Sequence, residues 1–257
     1  MNGISAIRLG MHDLRRQPRE AAMTPTFDIV FALYPRITQL DFTGPFEVLA
    51  RLPGSRCILA SVDGGDLPAD HGMKFAGLTP LDQVPGCDLL CVPGGFGTVE
   101  AIEDARYLAA IRRLGLQARY VTSVCTGSLL LAAAGLLRGK RAACHWAWRD
   151  RLAEFGVTPD AARVVRDGNV FTGGGVTAGI DMAFEVMAEV AGRDHAELVQ
   201  LAIEYAPAPP FDSGRPELAR EPVLRVALER MDAMRARRDA AIRRAAEAAI
   251  EACAAGS

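Results

Sequence analysis

Nothing in the 257-residue chain approaches the roughly 18 to 20 consecutive apolar residues that a bilayer crossing needs. No membrane partner is therefore expected. An excess of one charge is also missing: the formal net charge is -2, which indicates neither a nucleic-acid-binding surface nor a disordered charged tail. Histidine is scarce, with four residues at His12, His71, His145 and His195, and none of them follows Cys125. The six cysteines (Cys57, Cys87, Cys91, Cys125, Cys144 and Cys253) lack metal-ligand spacing, and Cys87 and Cys91 stand too far apart for a CxxC redox motif. Gly173-Gly174-Gly175 lacks the Gly-Lys-Ser/Thr that would make a phosphate loop. These absences lead us to expect no metal and no cofactor, and free thiols in a reducing cytoplasm rather than a disulfide framework. The first segment, 1–23, carries Arg8, Arg15, Arg16 and Arg19 together with Asp13 and Glu20, and has no apolar signal-peptide core. It reads as a loose extension, with Met23 a plausible natural start.

What is present is half hydrophobic, enough for one large core. Strand-like and helix-like segments alternate over 24–205, the pattern of a mostly parallel sheet sandwiched between helices. Continuous apolar runs at 27–33 and 88–92 suit strands covered on both faces. The spacing predicts a helix over 44–52, with Pro45 in its opening turn, and a loop or small hairpin over 63–79. Helices are expected at 103–115, 145–155, 178–191 and 194–203. Asp167-Gly168-Asn169 between two short strands marks a hairpin, because Asp-Gly supplies the positive backbone angles of such a turn. Beyond Tyr205 the composition shifts. Ala206-Pro-Ala-Pro-Pro-Phe211 reads as an extended arm, and a long Ala-, Arg- and Glu-rich helix follows Pro222. That segment, 206–257, packs either on its own core or on a partner.

The most informative stretch is Tyr120-Val-Thr-Ser-Val-Cys125-Thr126-Gly127-Ser128, running into an apolar helix. A buried strand that stops at a cysteine and turns sharply into a helix is the thiol counterpart of a nucleophile elbow. Beside a helix N-terminus the thiolate form of Cys125 would be favoured and open to a small substrate; the competing reading is a space-filling core cysteine. Two further loops belong at the same carboxyl end of the sheet. Asp41, in Gln39-Leu-Asp-Phe-Thr-Gly-Pro45, is either an N-cap or, beside Cys125, a carboxylic acid that resists ionising and donates a proton. Gly94 and Gly95, in Pro93-Gly-Gly, let backbone N–H groups approach developing negative charge. Thr126 adds a hydroxyl next to the sulfur. His145, among apolar residues, reads as packed or capping, with a place behind the site as the alternative.

These motifs resemble the ThiJ/PfpI superfamily, and within it the isocyanide-hydrating branch. The resemblance rests on the segments just quoted together with Gly135-Leu-Leu-Arg-Gly-Lys-Arg-Ala142, Thr172-Gly-Gly-Gly-Val-Thr-Ala-Gly-Ile-Asp181 and Tyr205-Ala-Pro-Ala-Pro-Pro-Phe211, and extends from about residue 26 to the C-terminus. It implies a flavodoxin-like α/β fold, a homodimer, Cys125 as nucleophile, Asp41 as the essential acid, Thr126 assisting, and an isocyanide substrate hydrated to a formamide through a thioimidate. The missing His after Cys125 counts against the peptidases of the superfamily. Two other readings stay open: a thiol sensor related to AraC-type regulators, and a cofactor-free glyoxalase or deglycase. Some fifty residues follow Tyr205, fewer than a helix-turn-helix module of that group requires.

Overall fold

The computed structural model describes residues 27–232 and 235–255; the N-terminal extension and Met23 lie outside them. In chain order the elements are β1 (Phe27–Ala32), α1 (Gln39–Leu49), β2 (Ser55–Ser61), β3 (Gly65–Pro68), β4 (Lys74–Pro80), β5 (Leu89–Val92), α2 (Thr98–Ala101), α3 (Ala105–Gln117), β6 (Tyr120–Val124) and α4 (Gly127–Ala133). They continue with β7 (Arg141–Ala142), β8 (Thr158–Pro159), β9 (Val164–Asp167), β10 (Val170–Gly173), α5 (Ala178–Ala191), α6 (Arg193–Ala202), α7 (Glu221–Asp232) and α8 (Arg235–Ala255).

Eight strands form one sheet in the order β3-β4-β2-β1-β5-β6-β10-β9. The inner six run parallel, and β3 and β9 add an antiparallel strand at each edge. The central strands are those that read as unbroken apolar runs. Ile29, Val30 and Phe31 of β1 and Leu89, Leu90 and Cys91 of β5 are fully buried, as strands covered by helices on both faces must be. The chain leaves β1 toward β2 on one side, while β5 and β6 build the other. The seam between β1 and β5 is therefore a topological switch point, where crevices open at the carboxyl ends of the strands.

Several local expectations need correction. The first helix begins at Gln39, five residues before the expected Gly44, so Asp41 lies inside its first turn and Thr38, in extended backbone, precedes it. Pro45 thus sits within the helix, and it deprives the Asp41 carbonyl of its usual N–H partner. The buried side chains of Phe42, Val48 and Leu49, and the edge-to-face packing of Phe42 on Phe31, hold the helix regardless. The expected helix at 145–155 is a tight turn, in which the His145 carbonyl accepts from the N–H groups of both Trp148 and Arg149 at 2.9 Å, followed by a 3-10 segment, Arg149–Phe155. The Asp-Gly hairpin forms as expected, with Gly168 at φ 63°. The expected long C-terminal helix is helical on both sides of residues 233–234, which lie outside the described residues, as α7 and α8. Ala241, Ile242 and Ala246 of α8 are buried, and Arg238 lies over the Trp148 ring at 4.9 Å, so α8 docks on its own core. No residue of α7 is buried.

Candidate active site

β6 ends at Val124, and the next residue, Cys125, adopts φ 58°, a left-handed conformation that side chains other than glycine seldom take. The Cys125 N–H donates to the Gly173 carbonyl at the end of β10 (3.0 Å), which fixes the turn against its neighbouring strand. Behind it, the Ser128 hydroxyl bonds Ser123 Oγ at 2.8 Å and donates to the Ala143 carbonyl at 2.6 Å, so the start of α4 is pinned to β6 and to the segment after β7.

Asp41 reaches this turn from α1. It is fully buried; its Oδ2 accepts from the Gly94 N–H at 3.0 Å, while Oδ1 has no well-formed hydrogen bond. The Cys125 thiol and the Asp41 carboxyl act directly on one another, each shifting the other's hold on its proton. Burial pushes Asp41 up to about 7, against the opposing pull of the Gly94 N–H and the Cys125 thiol, and with a smaller push from Asp70. The carboxyl is raised in the expected direction but by burial; the sulfur beside it, expected to raise it as a thiolate, pulls it down as a thiol.

The thiol behaves differently from the sequence expectation. Cys125 is only 6% exposed, and burial, followed by the Asp41 and Cys144 charges, raises its pKa well above the usual thiol value. The Thr126 N–H lowers it, as expected at a helix start, but α4 is a seven-residue helix and its pull is outweighed. At neutral pH the resting sulfur is a thiol beside a half-ionised carboxyl, not an exposed thiolate.

The glycine N–H groups are a second correction. That of Gly94 is engaged by Asp41 Oδ2, and that of Gly95 donates to Thr126 Oγ1 at 3.0 Å, so neither is free for a substrate oxygen. Gly94 serves by its lack of a side chain. A Cβ there would stand 2.5 Å from the Thr126 nitrogen and 2.8 Å from Asp41 Oδ2. The Thr126 hydroxyl is engaged too, meeting Thr98 Oγ1 at 2.7 Å. Thr98 in turn meets the Tyr34 hydroxyl at 3.0 Å, and Tyr34 donates to the Pro93 carbonyl.

Tyr34 and Thr98 were not singled out in the sequence. Their signal was a hydroxyl at the mouth of each of two central strands, which means little until the strands are known to be adjacent. Asp70 was missed as well: it lies in the β3–β4 hairpin, accepts from Thr38 Oγ1 at 2.9 Å and so ties the start of α1. His145 makes no hydrogen bond to Cys125 or Asp41 among the described residues. Its Nδ1 accepts from the Ala147 N–H at 3.3 Å and burial lowers its pKa to about 4, leaving a neutral ring with its proton on Nε2.

The description "DJ-1/PfpI family" applies to a family model that matches residues 28–189. An isonitrile hydratase of Pseudomonas putida is 52% identical over 79% of this chain and 89% of its own length. An HTH-type transcriptional regulator of Pseudomonas aeruginosa, CdhR, is 31% identical over 70% of this chain, a stretch that spans only 53% of the regulator. Among solved structures, a ThiJ/PfpI family protein from Pseudomonas syringae superposes with a TM-score of 0.82 at 36% identity, covering 91% of this chain and 97% of that one. Drosophila melanogaster DJ-1beta, at 22% identity and a TM-score of 0.63 over 70% of this chain and 99% of its own, shares the fold.

Proposed function

The chain belongs to the DJ-1/PfpI family, and on that premise we propose that it hydrates isocyanides, R–N≡C, to N-substituted formamides with Cys125 as nucleophile and Asp41 as proton carrier. One observation carries the reading: a chain 52% identical to an isonitrile hydratase over 89% of that protein's length brings a cysteine and a buried carboxyl into direct interaction at the carboxyl end of its sheet. The regulator reading has less support, since the shared stretch is about half of that relative.

The terminal isocyanide carbon is electron-deficient toward a soft nucleophile and must also gain a proton. A thiol beside a carboxylate carries the same net charge as a thiolate beside a carboxylic acid, so one proton shift converts the resting pair into the reactive one. Sulfur then bonds to carbon, and Asp41 returns the proton to that same carbon, giving the thioimidate R–N=CH–S–Cys125. The Asp41 carboxylate next takes a proton from water as it adds to the carbon. Asp41 passes that proton to nitrogen, the C–S bond breaks as the new hydroxyl gives up its proton to sulfur by way of Asp41, and the formamide leaves with the thiol and the carboxylate restored. No electrons are gained or lost overall. The Thr126 N–H, aimed at the sulfur, stabilises negative charge there in both steps.

We assign Gly94 to holding Asp41, and the Tyr34–Thr98–Thr126 hydroxyl chain to fixing the turn that carries the sulfur. The same reading places the protein in a reducing cytoplasm and makes it a homodimer. The dimer is supported by α7, on which Val223, Val226 and Leu228 are exposed, and by Phe211 and Leu218 of the arm, exposed likewise. The direct test is turnover of cyclohexyl isocyanide with N-cyclohexylformamide as the measured product. Formation of lactate from methylglyoxal, with no formamide from isocyanide, would replace this reading by a glyoxalase.

A further inference from the structure

Where the loop after β10 meets the turn after β7 lies a cleft of about 580 Å³. Its floor is close to the reacting group: Gly173 accepts from the Cys125 N–H, the next residue, Gly174, lines the cleft, and so does Cys144, whose thiol acts on that of Cys125. Trp146, Val176 and Leu218 give the cleft apolar walls.

The unusual member of the lining is Arg149. Its side chain is only 23% exposed, and its guanidinium makes no hydrogen bond among the described residues. The single carboxylate near it is that of Asp150, 3.9 Å from Nε on a side chain that is 92% exposed. The other part-exposed arginine of the cleft, Arg163, is satisfied by Asp181 and by Thr177 Oγ1. A guanidinium that keeps some contact with water and has no protein acceptor is open to a carboxylate, which matches its planar fork with two charge-assisted hydrogen bonds. At the rim Arg215 and Glu217 offset one another in charge, so Arg149 sets the sign of the interior.

We propose that this cleft holds the substituent of the substrate and that Arg149 binds a carboxylate on it, so that the preferred isocyanides are isocyanocarboxylates. This rests on the hydratase reading for its substrate and on the cleft alone for its anion.

The test compares isocyanoacetate and a longer isocyanohexanoate, each against its methyl ester, in the wild type, Arg149→Gln and Arg149→Lys. We expect Arg149→Gln to lower the carboxylate-to-ester ratio of kcat/KM by about tenfold or more for at least one chain length, through KM, with Arg149→Lys recovering part of it. A ratio that Arg149→Gln leaves unchanged overturns the proposal. If no isocyanide is turned over, the hydratase reading fails separately, and the anion site is judged by calorimetric binding of isocyanohexanoate to Cys125→Ala. Binding that Arg149→Gln removes upholds the site; binding unaltered by it, or no binding, overturns it.

Discussion

At the scale of single residues, Asp41 carries the sharpest consequences. Its folded pKa, about 7, lies above the ordinary carboxyl value of 3.8, so the folded protein holds a proton there that the unfolded chain releases. A raised pKa of this kind contributes stability that is full below about pH 4 and is lost as pH rises through about 7. We therefore expect Asp41→Asn to keep the fold and to gain stability relative to wild type between pH 4 and pH 8, by up to about 4 kcal/mol, as read from urea unfolding at several pH values. A constant difference across that range would contradict the burial account. In activity, loss of the shared proton site should cut turnover by about a hundredfold or more, and should remove an acidic limb of kcat/KM that lies near pH 7 in the wild type. Gly94→Ala is expected to cost about 1–3 kcal/mol in thermal or urea unfolding and to impair turnover, because its methyl would collide with Thr126 and Asp41.

Cys125 was legible as a candidate because it stands at a strand end followed by small residues, and Asp41 from its place after β1, although the helix that carries it starts earlier than the sequence suggested. The protonation state of the sulfur was not. A helix N-terminus is visible in a sequence, whereas the burial that opposes it comes from the packing of α1, β5 and α5 around the turn, which no local pattern records. The same holds for the N–H groups of Gly94 and Gly95, whose partners lie far away in the chain.

At the scale of elements, the central strands β1, β5 and β6 and helices α5 and α6 were readable because their apolar periods and turn residues agree, whereas the parallel pairing of β4 with β2, in a segment expected to be a loop or small hairpin, was not. The first helix was misplaced because Pro45 resembles a first-turn proline; only the packing of Phe42 against the aromatic side chains of Phe31 and Phe75 shows why a helix tolerates it in its interior. The segment at 145–155 was misread because its apolar spacing is shared by a turn and a 3-10 coil that bury Trp148, Leu152 and Phe155. For α8 the sequence left two alternatives, and the buried face of Ala241, Ile242 and Ala246 decides for its own core. Ile242→Ala should thus lower unfolding stability by about 2–4 kcal/mol in urea titration. A change below about 0.5 kcal/mol would mean that α8 contributes little to the folded chain.

At the scale of the molecule, the parallel sheet with its seam between β1 and β5 explains why residues from four distant parts of the chain converge. α1 follows β1, the Gly94 turn follows β5, Cys125 follows β6, and the cleft-lining glycines follow β10, all at one end of the sheet. The apolar residues left exposed on α7 and the arm carry the proposed self-association. Sedimentation velocity should show a dimer in the wild type and a shift to monomer in the Val223→Asp, Val226→Asp double variant; a monomeric wild type would remove that part of the account.

The chemistry itself is most directly reached by intact-protein mass spectrometry of acid-quenched reactions with cyclohexyl isocyanide. A covalent increment equal to one isocyanide, mapped to Cys125 and missing from Cys125→Ser, is the expected result. Steady formamide production by Cys125→Ser, or an increment mapped to another residue, would contradict it.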